Sequence, residues 1–315
     1  MSILSYAAKR LFVSIWVLFG ASILIFGIVH LVPGDPARVT LGRFADREAV
    51  EGVRQEMGLN DPLYVQYSDW LVGTLTGDWG NSLISNQPVL TLIVERFPKS
   101  IELALFALAI AVVISLPLGI MGALNRSTKT DQATLFFSQI GIAIPNFWLG
   151  IMLALIFGRY LGVLPASGSV AFTEDPVQNI RHLILPGVSL GILAAAVLTR
   201  YMRSEMIDQL NKDYVTTARA FGHPKKRIVW KYTLKNALIP YVTMLGMQFG
   251  FLIGGVVVIE TVFAYGGVGQ LILNGLLNRD YPIVQMSLLI LAGTFILVNL
   301  VVDIVYGYLN PRISY

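Results

Sequence analysis

The chain has 315 residues, 55% of them hydrophobic and only 13% charged, with a mean hydropathy of +0.67. That balance excludes an ordinary soluble core and points to helices that cross a bilayer. The lack of cysteine excludes a disulfide framework, a thiolate metal site and a cysteine nucleophile. A formal net charge of +4 fits Lys and Arg gathered in cytoplasmic loops better than a nucleic-acid surface.

Lys9 and Arg10 precede an uncharged run, residues 11–31, long enough to cross a hydrocarbon layer of ~30 Å. No small-residue cleavage site accompanies it, so it reads as a retained first span. Pro33, Gly34 and Pro36 end it, because proline cannot continue the helical ladder and restricts the residue before it. Residues 32–99 then form a long polar segment with helical patterns of its own. Residues 46–57 place Val50, Val53 and Met57 on one face and stop at Gly58; residues 62–75 group Leu63, Tyr67, Trp70 and Leu71. Such short amphipathic helices either cover the ends of the spans or offer a platform to an external partner, and the pattern leaves both open.

A second span is expected over residues 103–124, and a third over 132–158, broken at IPNFW (144–148). Proline within a span requires neighbours or water to satisfy the freed carbonyl, so Pro145 faces protein or a cavity. A fourth span runs from Leu183 to Arg200. Next comes YVTTARAFGHPKKRIVWKYTLKNALIP, residues 214–240. It reads as a helix ending at Gly222, a turn through His223, and a second helix opened by Pro224 and interrupted by Pro240. Thr216, Thr217, Ala218 and Ala220 are small enough to admit another surface, while Lys225, Lys226, Arg227, Lys231 and Lys235 crowd the second helix. The fifth span, residues 236–259, carries Gly246, Gly250 and Gly254 every four residues, a smooth stripe for close helix packing. Gly266, Gly267 and Gly269 favour a turn or a re-entrant stretch. Residues 281–302 form the sixth span.

Six spans place both termini on one side. Fourteen Lys and Arg, including those of residues 200–237, fall on that side, against Arg159, Arg181 and Arg279 in the two shorter loops opposite. Positive residues stay in the cytoplasm, so both termini are expected inside and the long segment outside.

No G-x-x-x-x-G-K-[ST] phosphate loop occurs, so nucleotide binding is not expected in this chain. His30, His182 and His223 lack metal-ligand spacing, and no metal site is expected. No G-x-S-x-G elbow supports hydrolysis. Charges lie only near span ends, at Glu102, Glu260 and Asp303, which argues against an ion-coupled carrier. Asn146, Trp148 and Gln248 are available to line a passage or to pair between helices. Glu260 is placed to meet a cationic group or to make a structural hydrogen bond. The basic helix pair of residues 214–240 is anchored between two spans and has little slack to enter a DNA groove. A cytosolic protein fits it better, and anionic lipid fits its Lys and Arg.

The run DYVTTARAFG (213–222), followed by LKNALIP (234–240), resembles the EAA coupling loop of permease subunits of bacterial ABC importers. The match is to the B-type subunit of the dipeptide, oligopeptide, nickel and glutathione group. Asp213, Tyr214, Thr217, Ala218, Arg219, Ala220, Gly222, Asn236, Ala237 and Pro240 carry it. HLVPGDPA after the first span, GLNDPLYVQY (58–67), IPNFWLG (144–150), LPASG (164–168), ETVF (260–263) and NRDYPIVQ (278–285) are also similar to this group. Thr216 and Thr217 depart from the general E-A-A pattern, and Tyr265 and Gly266 replace a common Trp-Pro pair.

The resemblance covers nearly the whole chain. It implies an all-α integral membrane protein with six transmembrane helices, N-in and C-in, in the type I importer permease fold. Residues 1–31 would hold the first helix, 32–99 an extracytoplasmic segment, and 100–315 a five-helix core with the coupling loop at 200–237. It implies a translocation pathway for di- or oligopeptides, or within the same group for glutathione or a nickel chelate, at the bacterial inner membrane. The implied partners are a second homologous permease, two cytosolic ATPases that bind ATP and Mg, and an extracytoplasmic solute-binding protein. Tyr214, Thr217, Ala218, Arg219, Ala220 and Gly222 would couple the chain to an ATPase. The alternative is a stand-alone secondary carrier or channel.

Overall fold

The computed structural model describes residues 3–31, 35–41 and 45–309. Pro33, Gly34 and the C-terminal NPRISY lie outside them. Among the described residues the chain is helical and forms no strand, only an isolated bridge between Asn81 and Pro88. In order the helices are α1 (Ile3–Leu31), α2 (Pro36–Leu41), α3 (Arg47–Glu56), α4 (Leu63–Thr76), α5 (Val89–Leu124), α6 (Lys129–Ala143) and α7 (Asn146–Leu153). They continue as α8 (Pro176–Leu210), α9 (Asp213–Ala220), α10 (Lys225–Arg227), α11 (Leu234–Val262), α12 (Val268–Asn278) and α13 (Tyr281–Leu309). A π-helical turn, Ala154–Tyr160, extends α7, and another, Ile228–Thr233, joins α10 to α11.

Among the described residues, five stretches are long and apolar enough to cross a membrane: α1, α5, α8, Lys225–Val262 and α13. The sixth candidate is the pair α6 and α7, bent by 94°. The bend follows from Pro145. Its ring keeps Ile144 out of the helical region, at ψ 122, and Pro145 itself is extended, at ψ 130.

Two helices are longer than hydropathy alone suggests. α5 begins at Val89 and carries Pro98 and Pro117 inside it; Arg96, Pro98 and Lys99 disguise its first turns as loop. α8 begins at Pro176, where Asp175 Oδ1 accepts from the backbone N–H groups of Val177 (3.0 Å) and Gln178 (3.1 Å). This pairs a side-chain N-cap with proline at the first helical position. Pro240, expected to interrupt the fifth span, sits inside an unbroken α11. Proline removes a single ladder bond, and the carbonyl it frees belongs to Asn236, which is exposed.

The main core lies where α5, α8 and α11 meet, filled by Leu103, Ala107, Leu198, Met202, Tyr241 and Ile253. At Gly191 an added Cβ would lie 2.6 Å from the Ala107 carbonyl oxygen, so α5 and α8 touch almost backbone to backbone. α1 stands against α13 and is tied to it by Arg10 and Asp303 (3.0 Å). α4 lies on α1 through an aromatic cluster, with Phe26 and Tyr67 centroids 5.4 Å apart and Phe26 and Trp70 5.8 Å apart. Ser22 and Tyr67 hydroxyls pair beside it at 2.8 Å. The polar segment therefore covers part of the first long helix with α4.

Candidate functional site

α9 is held by its own termination. Gly222 takes φ +75, its N–H donates to Arg219 O (2.9 Å), and the His223 N–H donates to Ala218 O (3.1 Å). These two bonds are the Schellman closure, which requires a residue tolerant of left-handed backbone after the helix. Pro224, at φ −63 and ψ 144, then opens α10. From Lys225 the chain runs helically for 38 residues to Val262, so α9 is joined rigidly to a membrane-length rod.

The inner face of α9 is apolar. Val215, Ala218 and Ile228 are buried together, with Tyr214 and Tyr232 packed on them. The Tyr214 hydroxyl donates to Gln209 Oε1 at 2.9 Å, tying α9 to the end of α8. Thr217, on the exposed side, donates its Oγ1 hydrogen to Asp213 O (3.0 Å). The sequence groups Ala218 with the outward small residues, but it faces the π turn, and its small size lets α9 seat there. Thr216, Thr217, Arg219, Ala220 and Gly222 form the exposed face. Phe221, 79% exposed, crowns its end. Sequence reasoning passes over Phe221; the available signal is one bulky apolar residue between Ala220 and Gly222 at a helix end.

The polar candidates for a passage lie apart. Asn146 opens α7, and its Nδ2 is 3.7 Å from the place a Cβ on Gly255 would take. Trp148 is about half exposed and lines a shallow apolar cavity with Ile140, Ala143, Pro145 and Phe147. Gln248 is buried in α11. Glu260 is fully buried, with its carboxylate committed inside the chain. Ser100 Oγ donates to Oε1, the Gln270 N–H donates to Oε2 (3.1 Å), and Ser100 Oγ also accepts the Val268 N–H (2.8 Å). Ser100 and Glu260 thus satisfy donors of the first turn of α12, which have no partner within the helix. No exposed surface remains on Glu260 for a cationic group in this arrangement.

Gly246 and Gly250 face α13. A Cβ on Gly246 would clash with Val302 Cγ2, and one on Gly250 would lie 2.6 Å from Phe295 Cε2. Gly254 does not join this contact, since a Cβ there meets nothing within 4 Å. An ion pair that sequence spacing does not reveal joins α6 to α8. Arg203 Nη2 donates to Asp131 Oδ2 at 2.7 Å, Arg203 Nε to Oδ1, and the Ser127 N–H adds a third donor at 2.9 Å. Among the described residues no group of His, Cys, Asp and Glu is arranged to hold a metal.

Two family models match: the binding-protein-dependent transport system inner membrane component over residues 115–315, and the N-terminal part of such membrane components over residues 3–104. The chain is 38% identical to the dipeptide transport system permease protein DppB of Alkalihalophilus pseudofirmus, over 99% of this chain and 100% of that protein. It is 41% identical to the glutathione transport system permease protein GsiC of Escherichia coli, over 99% of both. Among solved structures it resembles an inward-facing MetNI methionine ABC transporter, with a TM-score of 0.59 at 19% identity, covering 70% of this chain and 97% of that one. A second likeness, to an amino acid ABC transporter with histidines, has a TM-score of 0.52 at 13% identity, covering 71% of this chain and 94% of that one. With five or six apolar membrane-length helices and full-length relatives that are permease subunits and not enzymes, the chain belongs to the binding-protein-dependent transport system inner membrane component family, the multi-pass inner-membrane permeases of ABC importers.

Proposed function

We propose that this chain forms half of the translocation pathway of an ATP-driven importer of short peptides, a class that includes glutathione, with six spans and both termini in the cytoplasm. The observation that carries this reading is α9. It is a short helix locked by a Schellman closure, packed on the root of a continuous 38-residue helical stretch, with an open face ready for a partner. Thr217, Ala220, Phe221 and Gly222 meet an ATPase there, and Tyr214 and Ala218 hold the helix in place. Lys225, Lys226 and Arg227, all exposed, meet acidic ATPase residues or anionic lipid. ATP in the ATPases then biases the paired permeases between two states, and α9 is the contact through which that bias enters. Asn146 and Trp148 on the bent pair, and Gln248 on α11, border the route that the second permease completes, while Glu260 anchors α12. The relatives named for dipeptides and glutathione support the substrate class.

The test is reconstitution with a second permease, both ATPases and a binding protein from the same source. Uptake of a dipeptide, a longer peptide, glutathione and a nickel chelate is then compared. ATP-dependent uptake of at least one peptide, lost on omitting any partner, is expected; solute movement by the isolated chain down an ion gradient would sink the reading.

Topology has a direct assay, because the chain has no cysteine of its own. Single cysteines at Ser85 and at Lys226, both exposed, are expected to react oppositely with an impermeant maleimide on intact spheroplasts. Ser85→Cys labels and Lys226→Cys labels only after lysis; the reverse order would invert the proposed orientation.

A further inference from the structure

A cavity of about 970 Å³ opens between the start of α5, the residues leading into α8, and Tyr265. Its walls are largely apolar, with Phe106 and Phe172 among them, and Lys99, Glu102 and Asn179 are among its polar lining groups. Asn179 is 1% exposed. Its Nδ2 donates to Glu102 Oε1 (2.9 Å) and to Val170 O (2.8 Å). Both amide hydrogens are thereby used, and Oδ1 is left buried with no hydrogen-bond partner. Turning the amide over would set Oδ1 against two acceptors, so the hydrogen-bond network fixes the orientation. A buried acceptor without a donor is costly and rare, and Asn179 Oδ1 has the capacity to take one.

Tyr265 adds a second hold on Glu102. Its hydroxyl hydrogen-bonds Glu102, and burial first, then the charges of Glu102 and Glu260, push it above the ordinary tyrosine range. The Glu102 carboxylate, held by Asn179 and Tyr265, lines the cavity and has acceptor capacity beyond these two contacts. Lys99 lies one helical turn earlier on α5, and no ion pair occupies it among the described residues. Side chains three apart on a helix stand about 5–6 Å apart at Cβ. An extended dipeptide spans roughly 7 Å.

Resting on the importer reading above, we infer that Glu102 with Asn179 receives the α-ammonium group of a peptide, and Lys99 its carboxylate, so that α5 presents a clamp for the peptide zwitterion. The same end of the bundle carries the segment proposed to lie outside, so the clamp is the first station after release from the binding protein. The apolar walls take side chains without regard to identity.

The experiment uses the assembled permease and ATPase complex in nanodiscs, without binding protein, in nucleotide-free and nucleotide-trapped states. Binding of alanyl-phenylalanine is compared with its N-acetyl and C-amide forms. In the state that binds peptide, each blocked form is expected to bind about tenfold more weakly, the scale of one lost charge-assisted hydrogen bond. Glu102→Gln should weaken the free dipeptide about tenfold and leave the N-acetyl form unchanged, and Lys99→Met should do the same for the free and C-amide forms. The wild-type comparison and Lys99→Met stand even if the Glu102 variant misfolds. Equal binding of all forms by the wild type, or equal weakening of free and blocked peptides by the variants, overturns the clamp. A complex that imports peptide yet shows either result loses the clamp and keeps the importer reading. A complex that imports no peptide loses both.

Discussion

Gly222→Asp is expected to reduce ATP-driven uptake and binding-protein-stimulated ATPase activity by at least about tenfold, a loss of only ~1.4 kcal/mol in coupling, while the chain still inserts and pairs with its second permease. Two physical effects meet at this residue. Its φ of +75 costs an ordinary L-residue about 1–2 kcal/mol, and a Cβ there would meet nothing within 4 Å inside the chain. The empty space is the approach route of the proposed ATPase. Gly222→Ala and Gly222→Asn separate the effects, because alanine is small but strained while asparagine tolerates left-handed backbone and adds bulk. If docking dominates, ATPase stimulation falls in the order glycine, alanine, asparagine, aspartate. Near-normal activity in the asparagine variant, with the alanine variant impaired, would reduce Gly222 to a helix stop and remove it from the interface. Co-purification of the ATPase with each variant reads the contact directly.

Much of this region is legible from sequence because its punctuation is local. Gly222 and Pro224 mark a stop and a start two residues apart, and both serve as read, with only Pro240 failing to break the helix it sits in. The break at Pro145 is equally local, but the 94° angle is not, since proline permits a bend and packing against α8 and α11 sets its size. Helix ends at the membrane boundary are the weak point. Hydropathy sees where charges begin, and α5 and α8 run past their charges, to Val89 at one end and Leu210 at the other. The facing of α9 was within reach, because Val215 and Ala218 are spaced three apart and Ile228 follows the turn. Small size alone does not say which alanine faces out. Partners distant in sequence were out of reach: Ser100 and Gln270 around Glu260, Asn179 behind Glu102, and Arg203 on Asp131 have no local signature.

That last pair supports the second large effect, because Arg203→Ala is expected to destabilise the assembled permease by roughly 3–5 kcal/mol, the usual consequence of stranding a buried charge. The Asp131 side chain is 5% exposed and that of Arg203 18%, so both have left most of their water. Asp131 also lies in the first turn of α6 and accepts the Ser127 N–H. Both features favour its charged form, but neither replaces a bidentate guanidinium. The converse variant, Asp131→Ala, should cost less, because the long arginine stem can carry its charge outward to water or headgroups. Combining Asp131→Ala with Arg203→Met is expected to recover part of the loss, giving a coupling energy well beyond that of an exposed ion pair, about 0–1 kcal/mol. Thermal denaturation midpoints in one detergent, across the four corners of the cycle, measure this, and additive single effects would show that the pair is incidental. Arg203 lies about 10 Å along the α8 axis from the end of that helix at Leu210, and a short turn leads from there into α9. If α8 carries the displacement of α9 as a rigid lever, its joint with α6 must hold while it moves. In the Arg203→Ala complex, uptake should therefore fall further than stimulated ATP hydrolysis, because the motor still turns against a loosened lever. Equal losses in both would place the ion pair in folding alone and remove it from the transmission of force.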